Sequence, residues 1–200
     1  MNSTVFVVDD DDAMRDALAQ LLEAAGLRVE IHANGTDFLA AFGENRPGCV
    51  LLDMAMPGMT GLDVQAALKS RGVAIPILFL TGHGDIPMAV QAVQAGATDF
   101  LEKPVDGATL LERVQRALKL DQEWRQIREA TQAIQQRHAR LSPREREVMA
   151  LAVTGLTSKE IAQQLELSPR TVEVHRTHVM HKMGAANLAE LIKLAASCTS

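Results

Sequence analysis

The sequence predicts an α/β domain followed by an all-α one. A five-stranded, doubly wound parallel sheet occupies residues 1–119, a helical linker 120–140 and a four-helix module 141–200. Two observations carry this reading. Five short apolar runs alternate with helically spaced segments in about the first 115 residues, the pattern of β-α repeats. Charge also divides: residues 1–119 hold 16 acidic and 9 basic side chains, residues 120–200 hold 9 and 11 with four of the six histidines, as for two units with different partners.

Thr4 to Val8 is a short apolar strand that runs into Asp9 and Asp10. Met14, Ala17, Leu18, Leu21, Leu22 and Ala25 then follow helical spacing, Asp12 is placed to cap that helix and Gly26 stops it. Leu27 to Ile31 is a second strand, and Phe38, Leu39 and Phe42 lie on a short helix. Cys49 to Leu52 form the third strand, ended by Asp53; Pro57, Gly58 and Gly61 make a loop before helical spacing resumes from Leu62 to Leu68. Ile75 to Leu80 is the fourth strand, Met88 to Ala95 a helix ended by Gly96, and Thr98 to Leu101 the fifth strand. Leu110, Leu111, Val114 and Leu118 place a helix after it.

The strand ends carry the chemistry. Asp9 and Asp10 end the first strand, Asp53 the third and Thr81 the fourth, and Lys103 follows the fifth. Taken alone, Asp53 fits a turn or capping carboxylate equally well. In a parallel sheet of flavodoxin-like order, however, the first and third strands are neighbours and their carboxyl ends border the ligand crevice. Three carboxylates then converge, and like charges so close need a cation. Oxygen-only ligands favour Mg²⁺, and Lys103 adds a fixed positive charge suited to a phosphoryl group. Asp11 and Asp12 are not expected as ligands, and His83 reads as a loop polar group.

These residues resemble the receiver domain of two-component response regulators over residues 4–119. The resemblance rests on VVDD at Val7 to Asp10, DMAMPGMTG at Asp53 to Gly61, TGHGD at Thr81 to Asp85 and EKP at Glu102 to Pro104. It implies that Asp53 accepts a phosphoryl group from a sensor histidine kinase. Mg²⁺ would be held by Asp9, Asp10, Asp53 and the backbone carbonyl of Ala55, and the phosphoryl oxygens by Thr81 and Lys103. It further implies a cis bond before Pro104, and makes Thr81 and Phe100 a switch pair; Phe100 reads otherwise as a core residue.

Residues 119–140 are polar and contain neither Pro nor Gly, yet Trp124, Ile127, Thr131, Ile134, His138 and Leu141 recur at steps of three and four. That seam predicts a helix continuing the preceding one, too weak to stand as a coiled coil by itself. Ser142, Pro143 and Glu145 then form a capping-box start. Val148, Leu151 and Ala152 give the buried face of that helix. Thr157 caps the next, which carries Ile161, Ala162 and Leu165, and Ser168 caps a longer one from Pro169 to Met183. Leu188, Leu191, Ile192 and Ala195 complete a fourth. Two helices across a tight turn, the second longer and basic, read as helix-turn-helix. At about 100° per residue, Val172, Val179 and Met183 share the core face, flanked by Met180. Arg170, Val174, Thr177, His178 and His181 face outward, with Glu173 at their border. Val174 suits a thymine methyl and Glu173 a cytosine amino group. Arg176 falls near the core face, its guanidinium expected on a phosphate or an acid.

This half resembles the LuxR-type helix-turn-helix over about residues 139–196, and the two halves together look like the FixJ group of response regulators. The likeness implies base reading by Glu173, Val174 and Thr177, and phosphate contacts by Thr157, Lys159, Arg170, Thr171, His175, His178 and Lys182. The Lys common at the positions of Glu173 and Thr177 is absent, and the module's net charge is only about +1, so non-specific affinity should be modest and two modules should act together. The expected protein is a phosphorylation-activated transcription regulator. It would dimerise on phosphorylation, bind double-stranded DNA and work with RNA polymerase and a cognate sensor kinase.

It is expected not to be an enzyme, beyond slow loss of its own phosphate. A phosphohydrolase is the alternative, but such enzymes often place an Asp two residues after the nucleophile, where Ala55 stands. A constitutive DNA-binding protein with the first domain as a scaffold is a third reading. No apolar run approaches the roughly 18 residues of a membrane span, and the N-terminus lacks the basic start of a secretory signal. Cys49 and Cys198 have no metal-ligand spacing; Cys49 reads as a small buried hydrophobe. A reducing cytoplasm and no membrane contact are the expectation.

Overall fold

The computed structural model describes residues 3–43, 45–82 and 96–198. The helix expected from Met88 to Ala95, the second half of the TGHGD motif and His83 lie outside the described residues. The chain divides into two compact units, Met1–Trp124 and Arg125–Ser200.

In the first unit β1 (Thr4–Val8), α1 (Asp12–Ala24), β2 (Arg28–His32), α2 (Gly35–Ala41), β3 (Gly48–Asp53), α3 (Gly61–Ser70), β4 (Ile77–Thr81) and β5 (Asp99–Glu102) precede α4 (Gly107–Ala139). All strand pairs are parallel, in the order β2-β1-β3-β4-β5. Alternation along the strands builds two cores. Phe6, Val8, Val50, Leu52, Ile77 and Phe79 meet Phe38, Val64 and Leu68 of α2 and α3 on one face. Val5, Val7, Cys49, Leu51, Leu78 and Leu80 meet Leu18 and Leu22 of α1 and Leu110 and Val114 of α4 on the other. A sheet buried on both faces needs such near-continuous apolar strands.

Local chemistry shifts some boundaries from those expected. The α1 cap is Asp11, not Asp12: the backbone is still extended at Asp11, whose carboxylate accepts from the N–H groups of Ala13 and Met14 at 2.9 and 3.2 Å. Asp12 is already helical and its carboxylate pairs with Arg15. β4 begins at Ile77 rather than Ile75 because Pro76 has no N–H for the ladder; its carbonyl instead accepts from Val50 at 2.9 Å.

The expected helix through the polar stretch forms: α4 is one element of 33 residues. Asp121, on that helix, is 1% exposed, and its carboxylate accepts from the N–H of Gly48 at 2.9 Å, at the amino end of β3. Gly48 has φ of +150°, and a Cβ there would lie 1.8 Å from the Thr4 carbonyl oxygen.

The second unit holds α5 (Pro143–Ala152), α6 (Ser158–Leu165), α7 (Pro169–Met183) and α8 (Leu188–Ala196). Ser142, Thr157, Ser168 and Asn187 cap them, the first two in capping boxes closed by Glu145 and Glu160. Two small cores form. Val148, Ala152, Ile161, Ala162 and Val172 join α5, α6 and α7. Leu141, Met149, Val179, Met183 and Leu191 join α5, α7 and α8, with Ile134 of α4 packed against them. The α6–α7 turn passes through Glu166 at φ 55°, and the Leu167 N–H returns to the Ala162 carbonyl at 3.0 Å.

Gly48→Ala should destabilise the sheet unit by about 1–3 kcal/mol, the range for forcing atoms into packed space. Urea unfolding followed by circular dichroism measures it.

Candidate functional site

At the carboxyl edge of the sheet, β1 and β3 are neighbours in register Val8↔Leu52, so the residues that follow, Asp9 and Asp53, stand side by side. Asp9 is fully buried, Asp53 is 6% exposed and Asp10 is exposed. One carboxylate oxygen from each lies within 4.8 Å of the others. Lys103 comes in from beyond β5: its Nζ donates to Asp9 Oδ2 at 2.7 Å and to Asp53 Oδ1 at 3.0 Å. The Lys103 N–H donates to the Thr81 carbonyl at 2.6 Å, which fixes the backbone that carries this side chain; the Lys103–Pro104 bond is cis.

The electrostatics follow from this packing. Burial raises the Asp53 pKa above the ordinary carboxylate value; the Lys103 hydrogen bond and charge oppose that rise, and Asp9 and Asp10 add to it. Burial works against the Lys103 charge, but its two carboxylate partners outweigh it and hold its pKa above the ordinary value. Thr81 ends β4, 4% exposed, with its hydroxyl donating to the Gly82 carbonyl at 2.8 Å. Phe100, half-buried on β5, packs against the core of the α2–α3 face. Ala55 is exposed in the loop beyond Asp53. Gly61 closes that loop: its N–H donates to the Met54 carbonyl at 3.1 Å, and a Cβ would lie 2.4 Å from the Asp53 carbonyl oxygen.

On the second unit, α7 buries Val172, Val179 and Met183 and exposes Arg170, Glu173, Val174, Thr177, His178 and His181, as the helical wheel requires. Thr157 and Lys159 are exposed at the start of α6, and Thr171 is half-buried. His175 is half-buried, with Nδ1 sealed and without a hydrogen-bond partner among the described residues. Arg176 is half-buried, and its guanidinium donates to the Leu156 carbonyl at 3.2 Å rather than to an acid among the described residues. Leu156 lies in the segment between α5 and α6, so this bond ties α7 to that connection.

Residues 5–115 match the response regulator receiver domain family, and residues 139–195 the bacterial regulatory proteins of the luxR family. The transcriptional regulatory protein FixJ of Azorhizobium caulinodans is 46% identical over 191 residues, covering 96% of this chain and 90% of that protein. The chain belongs to the FixJ family of response regulators. The tetrathionate response regulatory protein TtrR of Salmonella typhimurium is 44% identical over 191 residues, covering 96% of this chain and 91% of that one. Among solved structures, the response regulator StyR matches with a TM-score of 0.88 at 42% identity, over 98% of this chain and 99% of that one. Full-length FixJ from B. japonicum matches with a TM-score of 0.62 at 41% identity, over 100% and 98%.

The receiver domain's acidic cluster fits a hard divalent cation: all three donors are carboxylate oxygens, close enough to share one ion, with one edge open at Asp10. Two side chains that brace their surroundings were not anticipated, one in each unit. Arg15 is 9% exposed on the inner face of α1; its Nη1 donates to the Asp9 carbonyl at 2.6 Å, fixing the backbone of the deepest acid. Its signal was present, since position 15 precedes Leu18 and Leu22 by three and seven on the buried face. Glu145, read as a capping residue, also receives the Lys182 ammonium at 2.6 Å. No helix among the described residues is long and apolar enough to cross a membrane.

Two outcomes follow. Adding Mg²⁺ should raise the thermal unfolding midpoint, and Asp10→Asn should shrink that rise, because a ligand bound only by the folded state stabilises it by mass action. The second concerns Glu145, whose hydrogen bond from Lys182, then that from the Ser142 backbone, hold its carboxyl at about 2 against an ordinary 4.5. A depressed carboxyl contributes stability above its unfolded value, so this contribution is complete above about pH 4.5 and is lost as pH falls toward 2. Acid titration of unfolding should show that slope, flattened in Glu145→Gln.

Proposed function

We propose that this response regulator is a phosphorylation-switched transcription regulator. Its receiver takes a phosphoryl group on Asp53 from the phosphohistidine of a cognate sensor kinase, and its helix-turn-helix binds double-stranded DNA as a dimer. The observation that supports this best is the Lys103 ammonium bridging Asp9 and Asp53, with Asp10 alongside, in a chain that also carries a LuxR-type module. Relatives spanning nearly the whole chain are named transcriptional or response regulatory proteins.

In this reading an Asp53 oxygen attacks phosphorus, forming the O–P bond as the P–N bond to the imidazole breaks and the ring keeps the electron pair. Partial desolvation of Asp53 strips water from the attacking carboxylate. Lys103 turns from the two carboxylates to the incoming phosphoryl oxygens. Asp9, Asp10, Asp53 and the Ala55 carbonyl would hold Mg²⁺, which when bound offsets charge on the transferring group. The Thr81 hydroxyl leaves the Gly82 carbonyl for the phosphoryl group, vacating space into which Phe100 turns, and the face carrying β5 becomes the pairing surface of two receivers. Ala55 offers no acid or base for water, so the acyl phosphate is lost slowly and the protein acts as phosphoacceptor rather than phosphohydrolase. Two helix-turn-helix modules then read two half-sites through Glu173, Val174 and Thr177 and meet phosphates through Thr157, Lys159, Arg170, Thr171, His175, His178 and Lys182. RNA polymerase is the onward partner.

A ligand shifts a conformational equilibrium only by its differential affinity for the two states, so the whole response must pass through Asp53. Acetyl phosphate with Mg²⁺ should convert wild type to a dimer in sedimentation and tighten binding to its promoter DNA at least tenfold, with Asp53→Asn unresponsive in both. Equal behaviour of both proteins with and without phosphodonor overturns the reading.

A further inference from the structure

The Glu145 carboxylate is 5% exposed on its side chain and sits at the third position of α5, where it accepts from the Ser142 N–H at 2.7 Å. The same oxygen receives Lys182 Nζ at 2.6 Å, and His178 Nδ1 lies 3.7 Å from the other oxygen. Lys182 and His178 are one helical turn apart, so both reach α5 from the same side of α7. Arg176, two residues before His178, ties α7 to the Leu156 carbonyl at 3.2 Å. The second half of the DNA-facing helix is thus braced by its own basic side chains.

We propose that Glu145 is a positioning residue for DNA binding, and that Lys182 is the internal tie through which it acts rather than a ligand of DNA phosphate. This rests on the proposed DNA binding and revises one residue of it. A cation at 2.6 Å from a buried carboxylate has its charge already compensated. Moving it to a phosphate would leave the buried Glu145 carboxylate with the Ser142 N–H but without its close cation, which costs more than an exposed contact returns. The tie orients α7 and at the same time withdraws one positive charge from the surface that meets the backbone. His178, 58% exposed, stays at the border of that surface, partly offset by the same carboxylate.

The salt dependence of duplex binding separates the two roles, since each phosphate neutralised adds about 0.9 to the slope of log K against log salt. The experiment uses the full chain, phosphorylated with acetyl phosphate, and a random-sequence duplex. It compares wild type, Lys182→Met, Glu145→Gln and the double variant, each also followed by thermal unfolding. Gln at position 145 preserves the capping box and removes only the charge. As an internal tie, Lys182→Met leaves the slope unchanged, Glu145→Gln raises it by up to about 0.9 as the ammonium is released, and the double variant returns to the wild-type slope. A slope lowered by about 0.9 in Lys182→Met makes Lys182 a phosphate ligand and overturns the proposal. Unfolding reports on the tie whether or not DNA binds: the two single variants should lower the midpoint and the double variant should be no worse than either. Strictly additive losses overturn the tie. Absence of duplex binding by phosphorylated wild type overturns the DNA-binding reading instead, and leaves the midpoints to decide the tie.

Discussion

Mutual repulsion among carboxylates at two adjacent strand ends is the constraint on which the receiver domain depends. Two unit charges at 4.8 Å repel by roughly 3 kcal/mol at an effective dielectric near 20. The fold tolerates Asp9 and Asp53 there because Lys103 crosses from beyond the last strand and binds both. That crossing sets demands elsewhere. β1 and β3 must be neighbours, β4 and β5 must follow in parallel on the same side, and the Lys103 backbone must be tied to Thr81. Arg15 adds a further brace by holding the Asp9 carbonyl from α1. Under the proposed function, a phosphoryl group and a metal ion would together relieve this balance differently from Lys103 alone, and Lys103 is tied to the end of β4.

The helix-turn-helix half solves a different problem, that of fixing short helices with little core. Its two apolar clusters are small, and the helices begin at polar caps that satisfy their first N–H groups. Two of the caps are reciprocal boxes, and one of these doubles as the anchor for Lys182. Arg144 makes a comparable link from α5 to the Leu165 carbonyl at the end of α6. Polar ties at helix ends thus supplement apolar burial in holding α6 and α7 across their turn.

Much of this was readable in the chain itself, and the reasons are local. Strand ends announce themselves when an apolar run meets a carboxylate, which gave Asp9, Asp10 and Asp53, and the Lys-Pro pair after β5 marked Lys103. Caps have fixed spacings, so Ser142, Thr157 and Ser168 were evident, as was the buried stripe of α7. What escaped was non-local or degenerate. The run Asp9 to Asp12 offers four equivalent carboxylates, and only the point where the chain leaves its extended path decides that Asp11 is the cap. Asp121 sits in a polar stretch that reads as a connection, and its partner Gly48 is 73 residues away. The Glu145–Lys182 pair spans 37 residues and was masked by the local role of each: a capping acid and a basic residue in the last turn of an exposed helix.

The bond between Gly48 and Asp121 ties α4 to the strand that ends at Asp53. β3 begins at the residue gripped by α4 and ends at Asp53. Six strand residues span about 17 Å, so α4 is fastened at one end of the strand by Asp121 while Asp53 lies at the other. The helix therefore starts just beyond Lys103, beside Asp53, and is pinned a second time at the far end of the strand that carries Asp53.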